Sequence, residues 1–189
     1  MPEQNFAIFD TAIGAVGIVW NARGIVAVQI PEASETPTRK RLLKRYPAAR
    51  EASPSAEAQK AINGIAALLR GEPRDLTGVQ IDDAATPEFN ARVYAIARKI
   101  PPGQTMTYGE IAERLGDKML AREVGVALGQ NPCPIVMPCH RVLAVGGKTG
   151  GFSASGGVVT KLRLLSIEGA QPGGPTLFER LPLELRQRR

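Results

Sequence analysis

Between Phe6 and Ile30 the chain reads FAIFDTAIGAVGIVWNARGIVAVQI, an apolar, β-branched stretch interrupted at Gly14 and by Asn21-Ala22-Arg23-Gly24, and closed by Pro31. Valine and isoleucine lose side-chain freedom in a helix and pack well on a pleated surface, so these runs read as strands. Turn residues this closely spaced allow only a meander of two or three antiparallel strands. The apolar runs fall far short of the ~20 residues that a membrane span needs. No N-terminal stretch resembles a signal peptide, so a cytoplasmic chain without membrane attachment is expected.

Two helical stretches follow: RKRLLKRY, ending at Pro47, and SAEAQKAINGIAALLRG, in which Ala58, Ala61, Ile62, Ile65 and Leu68 keep a helical period until Gly71 stops it. VQIDD, residues 79–83, is a candidate further strand. Nothing in residues 1–85 has a catalytic look, and they read as an α/β scaffold domain. At Thr86-Pro87-Glu88 the character changes: Thr86 is placed to cap a helix, Pro87 suits its first position, and Phe89, Val93, Ile96, Ala97 and Ile100 share one face. A second domain is expected over residues 86–171, followed by a basic tail, 172–189, that ends in RLPLELRQRR.

Inside this second domain Thr107 and Glu110 form a capping box that opens YGEIAERLG, with Gly116 as the stop, and LAREVGVALGQ follows as another helix. Two short helices joined by a tight turn suggest a helix-turn-helix. On the second helix Leu120, Val124 and Leu128 make the buried stripe, leaving Arg122, Gly125, Val126 and Gly129 on the other side. Such a face lets helix backbone approach a partner closely. On pattern alone, a packing role for the glycines and a solvated Arg122 is the commoner arrangement. Charge points the same way as the motif: of 24 Lys/Arg and 18 Asp/Glu, residues 1–85 hold ten of each, so the whole excess of +6 lies in the second half. A polyanion would meet that half first, although a basic surface also serves solubility.

The stretch NPCPIVMPCHRV, residues 131–142, holds both cysteines and the only histidine of the chain. A cysteine is nucleophilic as its thiolate, and a neighbouring histidine is expected to lower the pKa of Cys139. Side chains adjacent in sequence usually diverge, so a bridging water between Cys139 and His140 is plausible. Cys133, between two prolines, reads as an apolar filler. A structural or catalytic zinc takes three or four ligands, which this inventory cannot supply, so no metal and no cofactor are expected. A glycine-rich loop, VGGKTGGFSASGG, follows as a pocket wall, and then a helix, VVTKLRLLSIEG, whose Glu168 opposes the helix dipole at its C-terminal end.

PCHRV, preceded by GQNP and followed by the glycine-rich loop and KLRLLSIEG, resembles the methylated-DNA–protein-cysteine methyltransferases, the O6-alkylguanine-DNA alkyltransferases, from about Phe89 to Gly169. The resemblance implies an α+β chain. Its N-terminal part would be a small, ribonuclease H-like antiparallel sheet with helices, and its C-terminal part mostly helical with a helix-turn-helix. The implied activity is DNA repair, with transfer of a methyl or larger alkyl group from guanine O6 irreversibly to Cys139. Duplex DNA containing O6-alkylguanine would be the partner, bound through its minor groove by a monomer. A relay from Cys139 through water to His140, oriented by Glu168, would yield the thiolate, with Tyr108 donating a hydrogen bond to the guanine ring and Asn131 holding the turn. Arg122, with Ala121, Gly125 and Thr107, would form the DNA-binding set, Arg122 replacing the flipped-out nucleotide. Val142, Phe152, Ser153 and Lys161 would complete the substrate pocket.

The loop is about two residues longer than the family's usual pattern, so Ser153 and Ser155 both qualify for base contact. Phe152 stands where tyrosine is frequent, and Glu123 places an acid beside Arg122 where small residues are usual. Two other classes fit the sequence less well. A non-catalytic, alkyltransferase-like DNA-binding protein would lack the cysteine, which this chain has. A hydrolytic cysteine enzyme would separate its cysteine and histidine in sequence, which this chain does not.

Overall fold

In a computed structural model, which describes residues 2–170, the N-terminal stretch forms three strands: β1 (Asn5–Thr11), β2 (Gly14–Asn21) and β3 (Gly24–Gln29). They pair as the expected antiparallel meander, Phe6 opposite Val19 and Ile18 opposite Val28. A fourth strand, β4 (Arg50–Glu51), adds to β1 in parallel, so the order is β3-β2-β1-β4. The sheet is therefore mixed, not antiparallel. The parallel pair arises because a helix after β3 carries the chain from that edge across to the β1 edge, where β4 runs in the same direction as β1.

That helix, α1 (Glu35–Arg45), begins four residues before the stretch RKRLLKRY. It packs Leu42 on one face of the sheet against Phe6, Val19 and Ala27. Gly17 permits this approach, since a Cβ there would lie 2.5 Å from Leu42 Cδ1. The opposite face carries Val16, Ile18 and Trp20, packed with the buried stripe of α2 (Ala56–Leu69). Cover on both faces explains why β2 reads as an unbroken apolar run rather than an alternating one. Residues 79–83 make only one parallel bridge, Ile81 to Ile25, because Asp82 is turned aside to accept hydrogen bonds from Asn21 and Arg23.

The second half holds α3 (Glu88–Ala97), β5 (Met106–Thr107), α4 (Tyr108–Arg114), α5 (Ala121–Gly129), β6 (Val142–Leu143) and α6 (Gly157–Ile167). Thr86 does not cap α3: Pro87 occupies the capping position without a side-chain bond, and the Thr86 amide is held by the Asp83 carbonyl. The capping box forms as expected, with the Glu110 amide donating to Thr107 Oγ1 (3.1 Å) and the Thr107 amide donating to Glu110 Oε2 (2.6 Å). One apolar cluster runs through both halves, from Val16 to Leu164, and the Val28 amide donates to the Pro132 carbonyl. The change of character near residue 85 thus marks new elements without a break in the core. The tail at 172–189 lies outside the described residues. Among the described residues, no helix is long and apolar enough to cross a membrane.

Candidate active site

β5 and β6 are two-residue strands in different parts of the chain, yet their parallel pairing sets Met106 against Val142 and Thr107 against Leu143. This brings Tyr108, at the start of α4, beside the segment that carries Cys139. Between α5 and β6 the chain makes a tight excursion in which Ile135 has φ +76°, the one positive value outside glycine among the described residues. For a β-branched residue this costs roughly 1–3 kcal/mol and persists only where its surroundings impose it. Asn131 does so: its amide nitrogen donates to the Met137 carbonyl (2.7 Å) while its oxygen accepts from the Cys133 amide (2.9 Å). Pro138 then leads into one turn of 3-10 helix, Cys139–Arg141, which aims Cys139 and His140 in different directions.

Cys139 lies on the wall of a cavity of about 490 Å³, with Tyr108, Arg122, Gly125, Phe152 and Ser153 among the other lining residues. That volume suits a small organic ligand. His140 is fully buried behind it, with Nε2 2.9 Å from Glu168 Oε1. Its Nδ1 has no protein partner among the described residues. Glu168 is held from a second side by Arg141, whose Nη2 and Nε donate to its two carboxylate oxygens at 2.7 and 2.8 Å. A third donor of the same guanidinium, Nη1, caps the Ile100 carbonyl (2.6 Å).

Electrostatics sort the protons. Burial opposes ionisation of Glu168, but hydrogen bonds from Arg141 and His140 outweigh it and hold the carboxyl at about 2. Burial pushes His140 below the ordinary histidine value, against the pull of Glu168. The Cys139 thiol is pushed up by burial, with Asn131 and Lys161 opposing the rise. The site at neutral pH is therefore thiol, neutral imidazole and carboxylate. This corrects the expectation that an adjacent histidine lowers the cysteine: the histidine is uncharged, so desolvation of the sulfur wins. Cys133, fully buried, is pushed up to about 12 by the same effect, as suits an inert filler.

Residues 88–170 fit the family model for the 6-O-methylguanine DNA methyltransferase DNA-binding domain. A methylated-DNA–protein-cysteine methyltransferase of Methanothermobacter thermautotrophicus is 34% identical over 159 residues, covering 84% of this chain and 82% of the relative. The chain belongs to that family. A member from Mycolicibacterium paratuberculosis is 42% identical over 121 residues, 63% of this chain and 70% of its own. Among solved structures, the O6-methylguanine methyltransferase of Mycobacterium tuberculosis superposes with a TM-score of 0.69 at 29% identity, covering 96% of this chain and 97% of the other. The complex of that organism's protein with DNA gives 0.70 at 28%, covering 87% and 92%.

For a methyltransferase of this family the sequence-derived residues fall into two groups. Cys139, Tyr108, Arg122, Gly125, Phe152 and Ser153 meet at the cavity. His140, Glu168 and Asn131 stand behind it. Val142 and Lys161, expected in the pocket, do not line it: both are fully buried, because the Lys161 ammonium spends its donors on the Val142 (2.6 Å), Thr149 (2.5 Å) and Gly151 (3.4 Å) carbonyls. Burial lowers that lysine to about 8, leaving it mostly charged at neutral pH. Thr107 is occupied by its capping box, and Ala121 is half-buried at the start of α5. Of the two loop serines, Ser153 faces the cavity and donates to the Gly129 carbonyl (2.9 Å), whereas Ser155 turns away to Glu32 (2.7 Å). Arg141 went unassigned in the sequence. Its signal was a charge inside a segment that has to be buried, which calls for a partner. Among the described residues no cluster of three potential metal ligands occurs.

Proposed function

We propose that this methyltransferase repairs O6-alkylguanine in duplex DNA once per molecule, with Cys139 Sγ as the acceptor. What carries the reading is the pairing of His140 Nε2 with a carboxylate while Nδ1 stays unpartnered, behind a cysteine that lines a base-sized cavity. The Nε2 proton is donated to Glu168, so the Nδ1 lone pair is available as a base. The thiol proton passes through a water to Nδ1, and Glu168 compensates the imidazolium that forms. Sγ attacks the alkyl carbon in line, the carbon–O6 bond breaks, and guanine departs as its anion before taking up a proton. Tyr108 donates a hydrogen bond to the ring as that charge develops. The product is a thioether with no leaving group and no regenerating base, so the protein acts once.

A base stacked in the duplex is out of reach of Cys139, and capture requires flipping it out at a cost of a few kcal/mol. α4 and α5 serve as the helix-turn-helix, with α5 in the minor groove. Gly125 and the exposed Gly129 permit close approach, Ala121 and Thr107 lie along the contact, and exposed Arg122 inserts where the nucleotide has left. Residues 86–171 act as the DNA-binding and acceptor unit, and residues 1–85 as a ribonuclease H-like scaffold. Every group named comes from one chain, so a monomer suffices. Phe152 and Ser153 wall the pocket, while Lys161 and the Val142 carbonyl stiffen its floor. Intact-mass measurement after incubation with a duplex carrying O6-methylguanine should show a single added methyl that maps to the Cys139 peptide; an unmodified chain, or a methyl elsewhere, refutes the reading.

A further inference from the structure

The loop that walls the cavity is tied at three places. Lys161 holds its entry through the Thr149 and Gly151 carbonyls, and Ser153 ties its middle to Gly129. Both ties lie within the second half of the chain. The third comes from outside: Ser155 Oγ donates to Glu32 Oε2 (2.7 Å), across 123 positions of sequence. Glu32 follows the central sheet and is itself fixed, since its amide donates to Thr38 Oγ1 (2.9 Å) and Thr38 is fully buried in α1. Its second oxygen, Oε1, is buried 2.9 Å from Arg41 Nη1, close enough for charge compensation but out of line for a hydrogen bond. Ser155 cannot swing freely about this contact, because its carbonyl accepts from Thr160 Oγ1 (2.7 Å). Gly156 follows at φ +77°, where an added Cβ would collide with the same threonine hydroxyl.

We infer that Glu32 is a positioning residue for the base cavity: through Ser155 the N-terminal half sets the wall formed by Phe152 and Ser153. This rests on the transferase reading above and gives the scaffold a part in substrate capture. Only Ala154 separates Ser153 from Ser155, so releasing the serine lets the wall move while the thiol, His140 and Glu168 stay in place. Loss of the tie should weaken capture of the base and spare the chemical step.

The test uses the full chain and free O6-benzylguanine, with the adduct at Cys139 followed by mass against substrate concentration. Glu32→Ala and Ser155→Ala should each raise the half-saturating concentration roughly tenfold, the effect of one lost charge-assisted hydrogen bond, with the limiting rate within about twofold. Combining them should add nothing, since both remove one contact. Glu32→Gln, whose amide oxygen still accepts from Ser155, should recover most of the loss. Unchanged saturation in Ser155→Ala overturns the proposal, as does an additive double variant or a fall confined to the limiting rate. A wild-type chain that gains no benzyl mass at Cys139 refutes the transferase reading instead.

Discussion

Replacing Glu168 by glutamine separates the two duties of this carboxylate. It receives three hydrogen bonds, one from His140 and two from Arg141, and its side chain is 3% exposed. Glutamine keeps one acceptor oxygen and can still orient the imidazole, but it removes the only carboxylate paired with Arg141 among the described residues. The guanidinium, 6% exposed, then keeps only neutral acceptors, the glutamine oxygen at Nη2 and the Ile100 carbonyl at Nη1, while its Nε faces the amide NH2. Breaking a buried pair in this way costs about 3–5 kcal/mol. In a chain of this size that corresponds to a fall in Tm of roughly 6–20 °C. The rate should also fall, by roughly 100-fold, because the imidazolium formed as the thiol gives up its proton has lost its counter-charge. Thermal melting and single-turnover alkylation, scored on the folded fraction, read the two losses separately. The double variant Arg141→Met, Glu168→Gln removes the stranded cation and should regain most of the Tm while staying slow. If it regains the rate as well, Glu168 is only a strut for Arg141 and the relay is wrong; a fall of under 2 °C in the single variant removes the buried-charge account.

Cys139→Ser should form no adduct in mass spectrometry yet bind DNA as the wild type does, because serine does not ionise at neutral pH; any alkyl transfer refutes the nucleophile. Arg122→Ala should slow repair of duplex O6-methylguanine far more than reaction with free O6-benzylguanine, and equal losses on both would remove its role in flipping. Stability should fall in acid through two groups. Glu168, at about 2 folded against 4.5 unfolded, contributes about 3 kcal/mol above pH 4.5 that is lost as the pH falls towards 2. His140, lowered by burial, destabilises the fold as the unfolded chain takes up its proton below about 6.5. Denaturant unfolding from pH 7 to 3 should show stability declining throughout; a flat profile contradicts the buried relay.

Much of this was legible in the sequence because it is local. The meander, α2 and the capping box at Thr107 depend on side-chain stiffness, short periodicities and fixed offsets, which tertiary packing here reinforced. Cys139 and His140 likewise stand out in a short motif, whereas the part of Glu168 beside His140 is implied only by the family resemblance. Misreadings occurred where distant segments decide. The parallel partner of β1 could not be seen because a two-residue strand has no pattern of its own. Thr86 has the right residue type for a cap, but a turn through Asp83 holds it outside the helix.

By itself, the sequence determined the meander, α2 and the capped α4, and offered Cys139 and His140 as candidate reactive groups, since these follow from neighbours along the chain. Only the tertiary structure decided the charge state of those atoms. Burial is a property of the surroundings, and it made Cys139 a thiol at rest, His140 neutral and Lys161 a brace rather than a pocket residue. The structure also decided that Arg141 completes the Glu168 site and that Ser155 reaches Glu32, because such contacts join positions whose separation in sequence carries no information about their distance in space.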